Sequence, residues 1–309
     1  MKFLVTGGAG FIGSNLVVKL IDIGHEVVVI DDLSSGNIKN LQLVIDRIKF
    51  VEGSILDLNL LKKEFIGMDY VLHMAAMPSV PKSVEKPLET NAANIDGTLN
   101  VLIAARDSGV KRVVYAASSS RYGNSTTDIK SESLPTKPLS PYALQKFTGE
   151  EYCRIFYKIY GLETVATIFF NVFGPNQNPD SPYSAVIPKF IKLMLKGERP
   201  VIYGDGQTSR DFTYVDNNVS AVIAAATAKE AVGQSINIAL GESISLIELV
   251  KKINKILGTN IEPQFEDFRT GDVKHSLADI SLAKKVLDYQ VDVDFNSGLE
   301  KTINFLRSN

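Results

Sequence analysis

Through the first half of the chain, short apolar runs alternate with longer stretches whose apolar positions recur every three or four residues. "KFLVT" (2–6) has the length and apolar content of a buried strand. "FIGSNLVVKLIDIG" (11–24) carries helical spacing and stops at Gly24. "EVVVI" (26–30), "IKFVEG" (48–53), "DYVLHMA" (69–75) and "KRVVYAAS" (111–118) predict four further strands. "PLETNAANIDGTLNVLIAARDSG" (87–109) predicts a helix between the last two. "YALQKFTGEEYCRIFYKIYG" (142–161) predicts the next long helix and "LETVATIFF" (162–170) the strand after it. Strands separated by helices of this length imply βαβ units, and so an α/β fold with a doubly wound parallel sheet.

After about residue 171 the rhythm loosens. Pro and Gly punctuate "NVFGPNQNPDSPYS" (171–184) and "GERPVIYGDGQTSRD" (197–211), and the remaining elements shorten. The pattern predicts an α/β unit over 1–170 and a second, smaller α+β unit over 171–309. Part of 212–240 is expected to return to the first unit. No internal repeat or low-complexity stretch interrupts either half.

Composition narrows the function classes. Hydrophobic residues at 45% and charged residues at 22% of 309 describe an ordinary globular protein. A net charge of −2 gives no footprint for nucleic acid or an anionic membrane surface. One cysteine, Cys153, excludes an intrachain disulfide and a Cys-based zinc site. The three histidines (His25, His73 and His275) are too scattered in sequence to suggest a metal centre. No apolar run approaches the length of a membrane span, and the opening apolar run is too short for a signal peptide. A cytoplasmic location is the expectation.

Candidate chemistry begins at "VTGGAGFIG", where Gly7, Gly10 and Gly13 recur at three-residue spacing between the first strand and the first helix. Glycines there permit a tight turn and close backbone approach, so a pyrophosphate can sit on the helix N-terminus. Asp31 closes the second strand, 18 residues after Gly13, with Asp32 beside it. A carboxylate at that place accepts ribose hydroxyls and repels a 2′-phosphate, which favours NAD over NADP. Farther on, "SPYALQK" places Tyr142 four residues before Lys146, neighbours on one helix face. With 11 tyrosines and 24 lysines in the chain, roughly one such pair arises by chance, so the motif alone decides nothing.

The order of motifs decides it. The glycine turn, "HMAAMPSV", "NAANIDGT", "AASSSRYG" and "SPYALQK" follow one another, and "FFNVFGP", "VIPKF", "GDGQTSRDFTYVD" and "RTGDVKHSLAD" continue the series. The chain resembles the extended short-chain dehydrogenase/reductases over some 280 residues, and within them the UDP-hexose 4-epimerases. The resemblance implies a Rossmann domain holding NAD along Gly7, Gly10, Phe11, Ile12, Gly13, Asp31 and Asp32. It extends the cofactor site to Ser54, Ile55, Met74, Ala75, Ala76, Asn94, Phe169, Tyr142 and Lys146. It makes Ser118, Tyr142 and Lys146 the catalytic set, Tyr142 exchanging the proton of a sugar 4-OH. A nearby cation lowers an acid's pKa by roughly 1–3 units, so Lys146 and a positive nicotinamide are expected to bring the phenol toward neutrality. His73 is expected only to end its strand.

On the substrate side the resemblance implies Ser79, Ser118, Ser119, Tyr142, Asn171 and Ala185. It adds Val186 and Phe190 in the uracil stretch, Arg210 and Arg269 on the diphosphate, Asp272 on the uridine ribose, and Ser276 near the sugar. "SSSRYG" offers no acid for elimination or decarboxylation, and Asn178 stands where uronate-handling members tend to carry an Arg. Ser276 replaces a bulky Tyr of glucose/galactose-restricted members and leaves room for a 2-acetamido group. The expected substrates are therefore UDP-N-acetylglucosamine and UDP-N-acetylgalactosamine, UDP-glucose and UDP-galactose, or both pairs. The alternatives are a UDP-glucuronate 4-epimerase or decarboxylase and, in another class, a catalytically silent NAD-binding sensor or scaffold. Two departures from the family pattern stand out. Ser54 replaces an Asp that often holds the adenine, and Arg121 is unusual in its loop. A homodimer is expected through the helices at about 90–108 and 142–160, with Leu99, Ile103, Ile155 and Ile159 available.

Overall fold

The computed structural model describes residues 1–125, 127–179, 185–267 and 274–308. Its central feature is a seven-stranded sheet in which every neighbouring pair runs parallel. The strands in chain order are β1 (Lys2–Thr6), β2 (Glu26–Asp31), β3 (Lys49–Glu52), β4 (Tyr70–His73), β5 (Arg112–Ser118) and, after β6 (Ile129–Lys130), β7 (Glu163–Phe169). Beyond β8 (Val172–Phe173), β9 (Val201–Tyr203), β10 (Ser209–Arg210) and β11 (Thr213–Tyr214) comes the seventh, β12 (Ser235–Ile238). The spatial order is β12-β7-β5-β4-β1-β2-β3. The chain leaves β1 toward one edge and returns to build the other side from β4, so the direction reverses between β1 and β4. In an open parallel sheet that reversal opens a crevice at the strands' carboxyl ends.

Helices cover both faces, which is why β1, β5 and β7 are nearly continuous buried apolar runs. They include α1 (Phe11–Asp22), α2 (Leu58–Glu64), α3 (Val80–Glu85), α4 (Pro87–Asn91), α5 (Gly97–Asp107) and α6 (Pro141–Tyr160). The sequence predicts one helix over 87–109. Instead α4 and α5 are joined by a π-helical turn over Ala92–Asp96, which widens the backbone at Asn94. Helix α6 is bounded as its sequence dictates. Ser140 caps the Ala143 N–H at 3.1 Å, Pro141 opens the first turn, and Gly161 closes the last with φ 71°.

The later elements are α7 (Val186–Leu195), α8 (Val215–Thr227), β13 (Ile244–Ser245), α9 (Leu246–Leu257), β14 (Gln264–Glu266), β15 (His275–Ala278), α10 (Ser281–Leu287) and α11 (Phe295–Ser308). A small mixed sheet, β13-β10-β15-β6, stands over the crevice, with β11-β8 and β14-β9 as two-stranded additions. Helix α8 packs on β5 and β7, and β12 pairs with β7, so residues 215–238 contribute to the main sheet layer.

Asp211 ties the two layers together. Its fully buried carboxylate accepts from the Leu240, Gly241 and Ala278 N–H groups at 2.9, 3.0 and 3.3 Å. Asp211→Ala leaves those donors unpaired and is expected to cost about 3 kcal/mol or more, since each unsatisfied buried group costs roughly 1–3 kcal/mol. A melting midpoint unchanged from the wild type would refute this. Burial pushes the carboxyl up to about 7 against the pull of those N–H groups, from a starting value of 3.8. Between these values the folded state binds more protons than the unfolded state, so Asp211 loses stabilising power as pH rises from 3.8 to about 7. The stability of wild type relative to Asp211→Asn should fall across that window.

Candidate active site

Gly7 makes the turn out of β1 with φ 70° and donates its N–H to the Ile30 carbonyl at 2.8 Å. A Cβ on Gly7 would meet the Ala75 backbone at 2.6 Å, and one on Gly13 would lie 2.1 Å from the Gly7 carbonyl oxygen. Only hydrogens fit in this turn. It delivers the α1 N-terminus, with its unpaired N–H groups and positive dipole end, to the crevice. At the end of β2, Asp31 accepts from Ala9 N and Leu33 N, both at 2.9 Å. Burial raises its pKa, against those bonds. The carboxylate is thus held rigidly at the crevice wall beside Asp32.

On the wall after β5, Ser118 Oγ accepts from Ser120 N at 3.2 Å and from Ser120 Oγ at 2.9 Å. Tyr142, in the first turn of α6, anchors its backbone N–H on Ser83 Oγ at 3.0 Å. Its phenol meets Ser118 by a side-chain hydrogen bond. Lys146 lies one turn farther on and is buried, its Nζ 4.4 Å from the Tyr115 ring centroid. The structure therefore brings Ser118, Tyr142 and Lys146 onto one wall. The electrostatics differ from the sequence expectation. Burial raises the Tyr142 phenol, opposed by the Ser118 hydrogen bond, and burial lowers Lys146 to about 7. A lysine desolvated this far is only partly charged near neutral pH, which weakens its pull on the phenol. His73 is buried between Thr6 Oγ1 (2.7 Å) and Thr98 Oγ1 (3.0 Å), and burial lowers its pKa to about 3. It is a neutral strand-end residue.

A single cavity of about 1520 Å³ runs along these walls. It exceeds the roughly 300–1,000 Å³ of a site for one drug-sized ligand and has room for two. Its floor includes the three glycines, Phe11, Ile12, Asp31 and Asp32. Ser54, Ile55, Met74, Ala75, Ala76 and Phe169 line the next stretch, followed by Ser79, Ser118, Ser119, Tyr142 and Lys146. Asn171, Asn178, Ala185, Arg210 and Ser276 line the end beneath the small sheet. Asn171 adopts φ 32° and donates Nδ2 to the Asp211 carbonyl at 2.9 Å. Arg210 and Ser276 are paired across β10 and β15.

Three expected contacts fall elsewhere. Asn94 lies behind the wall, accepting from Met77 N at 2.8 Å, so it shapes the loop after β4 without lining the cavity. Phe190 faces the core on α7, where apolar helical spacing serves packing, and Val186 likewise does not line the cavity. Arg269 and Asp272 lie outside the described residues. Conversely, sequence reasoning missed Gln145. Buried on α6, it accepts from Asn94 Nδ2 at 2.9 Å and donates to Thr90 Oγ1 at 3.0 Å. It also missed Lys130 and Gln177 in the cavity wall. The described residues contain no cluster of metal-ligating side chains.

A glycine turn at the switch point of a parallel sheet, an acid ending β2 and a Ser–Tyr–Lys wall define a dinucleotide-dependent enzyme of the short-chain dehydrogenase/reductase class. Residues 3–239 match the model of the NAD-dependent epimerase/dehydratase family, and the chain belongs to that family. The resemblance to UDP-hexose 4-epimerases drawn from the motifs holds, and NAD is the cofactor. A UDP-N-acetylglucosamine 4-epimerase from Methanobrevibacter ruminantium M1, solved with UDP-N-acetylmuramic acid, is 43% identical over 99% of this chain and 98% of its own, with a TM-score of 0.95. The UDP-glucose 4-epimerase of Mycolicibacterium smegmatis is 38% identical over 100% of this chain and 99% of its own length. A mutant UDP-glucuronic acid 4-epimerase from Bacillus cereus, solved with NAD and a fluorinated UDP-glucuronic acid, is 34% identical over 100% of this chain and 99% of its own, with a TM-score of 0.91.

Proposed function

We propose that the protein inverts C4 of UDP-hexoses and accepts the N-acetylated pair, UDP-N-acetylglucosamine and UDP-N-acetylgalactosamine. The juxtaposition of Ser118, Tyr142 and Lys146 beside a two-ligand cavity whose far wall carries Ser276 supports this reading best. The residues present fit NAD. The glycine turn and the α1 N-terminus suit its pyrophosphate, and Asp31 suits its adenosine ribose. Bound there, NAD supplies a hydride acceptor that gives the hydride back within one turnover.

The chain's own residues do the rest. Tyr142, as phenolate, takes the 4-OH proton as the alcohol becomes a ketone and returns it to the opposite epimer. Ser118 holds the phenol and the sugar oxygen in line, and Lys146 lies beside the phenol to balance its charge. Arg210 and Asn171 hold the diphosphate end, so the keto sugar turns over while its nucleotide stays in place. Placement of this kind provides most of the rate.

Ser276 distinguishes the sugars by space. Ser276→Tyr is expected to lower kcat/KM for UDP-N-acetylglucosamine by about tenfold or more, roughly 1.4 kcal/mol. Turnover of UDP-glucose should change little. Anomeric proton spectra of each UDP-sugar incubated with wild type and variant read both effects. Equal losses on the two sugars would refute the assignment of Ser276. Conversion of UDP-glucuronate alone would replace the reading with a uronate epimerase, although neutral Asn178 lines the wall in place of an additional arginine.

Assembly as a homodimer through α5 and α6 fits the partly exposed Leu99, Ile103 and Ile155 and the exposed Ile159. No helix among the described residues is long and apolar enough to cross a membrane. A cytoplasmic setting suits a UDP-sugar enzyme with one buried thiol.

A further inference from the structure

Arg121, the residue unusual in its loop, is buried three positions after Ser118. Its guanidinium forms an ion pair with buried Glu150 of α6. The same group lies between two rings, 5.3 Å from the Tyr122 centroid and 5.4 Å from the Phe147 centroid. Its carbonyl accepts from Lys137 N at 2.8 Å, on the segment that leads back into α6. Glu150 follows Tyr142 and Lys146 at successive four-residue steps, so all three share one face of the helix. The pair therefore joins the short turn after β5 to helix α6, the two elements whose relative placement sets the Ser118–Tyr142 contact.

Stability alone does not account for it. A buried ion pair repays its desolvation only when both partners are fully hydrogen-bonded, and a well-packed apolar pair often serves as well. Arg121 Nε has no hydrogen-bond partner among the described residues. The pair contributes direction, a charge-assisted bond of fixed geometry, more than it contributes burial.

We propose that Arg121 and Glu150 are positioning residues that fix the Ser118 loop against the catalytic face of α6. This rests on the reading of Ser118 and Tyr142 as the proton-transfer pair. Neither residue lines the cavity. Their loss should therefore act on turnover and leave substrate binding nearly intact.

The decisive variant is the apolar pair Arg121→Met/Glu150→Met, which leaves no unpaired buried charge and so folds even where a single substitution does not. In the NAD-loaded enzyme, with whichever UDP-hexose the wild type turns over, kcat is expected to fall by about 10- to 100-fold while KM stays within about twofold. The melting midpoint should remain close to that of the wild type. Arg121→Lys keeps the charge without the planar fork and should retain an intermediate kcat. Backbone hydrogen exchange over 118–123 and 141–146 reads the same device without a substrate. It should quicken in the double variant, so absence of turnover by the wild type would count against the proposed reaction and not against the brace. A double variant with wild-type exchange, or one that recovers kcat along with its melting midpoint, would overturn the proposal.

Discussion

Tyr142→Phe is expected to lower kcat by about 10²- to 10⁴-fold, the usual contribution of a positioned general acid–base group. The melting midpoint and NAD content should barely change. The substitution removes one oxygen from a half-buried side chain whose backbone stays anchored on Ser83 Oγ. The pH profile identifies the group more sharply than the size of the loss. In the proposed reaction the phenolate is the active form, and burial raises the phenol, so kcat/KM should climb with pH on the alkaline side of neutrality. The Ser118 hydrogen bond works in the opposite direction, lowering the phenol. Ser118→Ala should therefore shift the rising limb to higher pH as well as reduce the rate. A limb that stays in place would mean another group titrates there. A Tyr142→Phe enzyme within a few fold of wild type would remove the phenol from the mechanism.

The parts of the site legible in the sequence are those encoded locally. Gly7, Gly10 and Gly13 are read from their spacing between a strand and a helix. The link between Tyr142 and Lys146 is one helical turn. Ser118 ends a strand whose apolar run predicts its end within a residue. Contacts between distant segments left no such trace. Gln145 reads as an ordinary polar helix residue until Asn94, 51 positions earlier, is brought to it. The π-turn over Ala92–Asp96 leaves the apolar spacing of the stretch almost helical, so the periodicity predicts one unbroken helix. Phe190 is ambiguous for a related reason, because apolar spacing on α7 looks the same whether it faces a ligand or the core. Arg121 is the counterpart in charge. Its partner Glu150 lies 29 residues on, and one sequence gives no sign that the two meet.

Gly13→Ala should weaken NAD binding by about 10- to 100-fold or more, the equivalent of the 1–3 kcal/mol that overpacking commonly costs. The added methyl would lie 2.1 Å from the Gly7 carbonyl oxygen and 2.9 Å from the Gly8 Cα. Those contacts are backbone, which no rotamer change relieves, so α1 must move away from the turn that follows β1. Its N–H groups move with it, and the pyrophosphate loses its seat. Gly10→Ala separates this effect from simple blockage. Its methyl meets the same oxygen at 3.2 Å, a distance a shift of a few tenths of an ångström relieves. Weakening there would report how closely a ligand approaches the chain, whereas weakening at Gly13 reports deformation of the turn. NAD released on denaturation of each purified variant, set against its circular dichroism, measures the two. A Gly13→Ala protein that keeps a full complement of NAD would show that α1 tolerates displacement, and that the glycine turn is not what holds the cofactor.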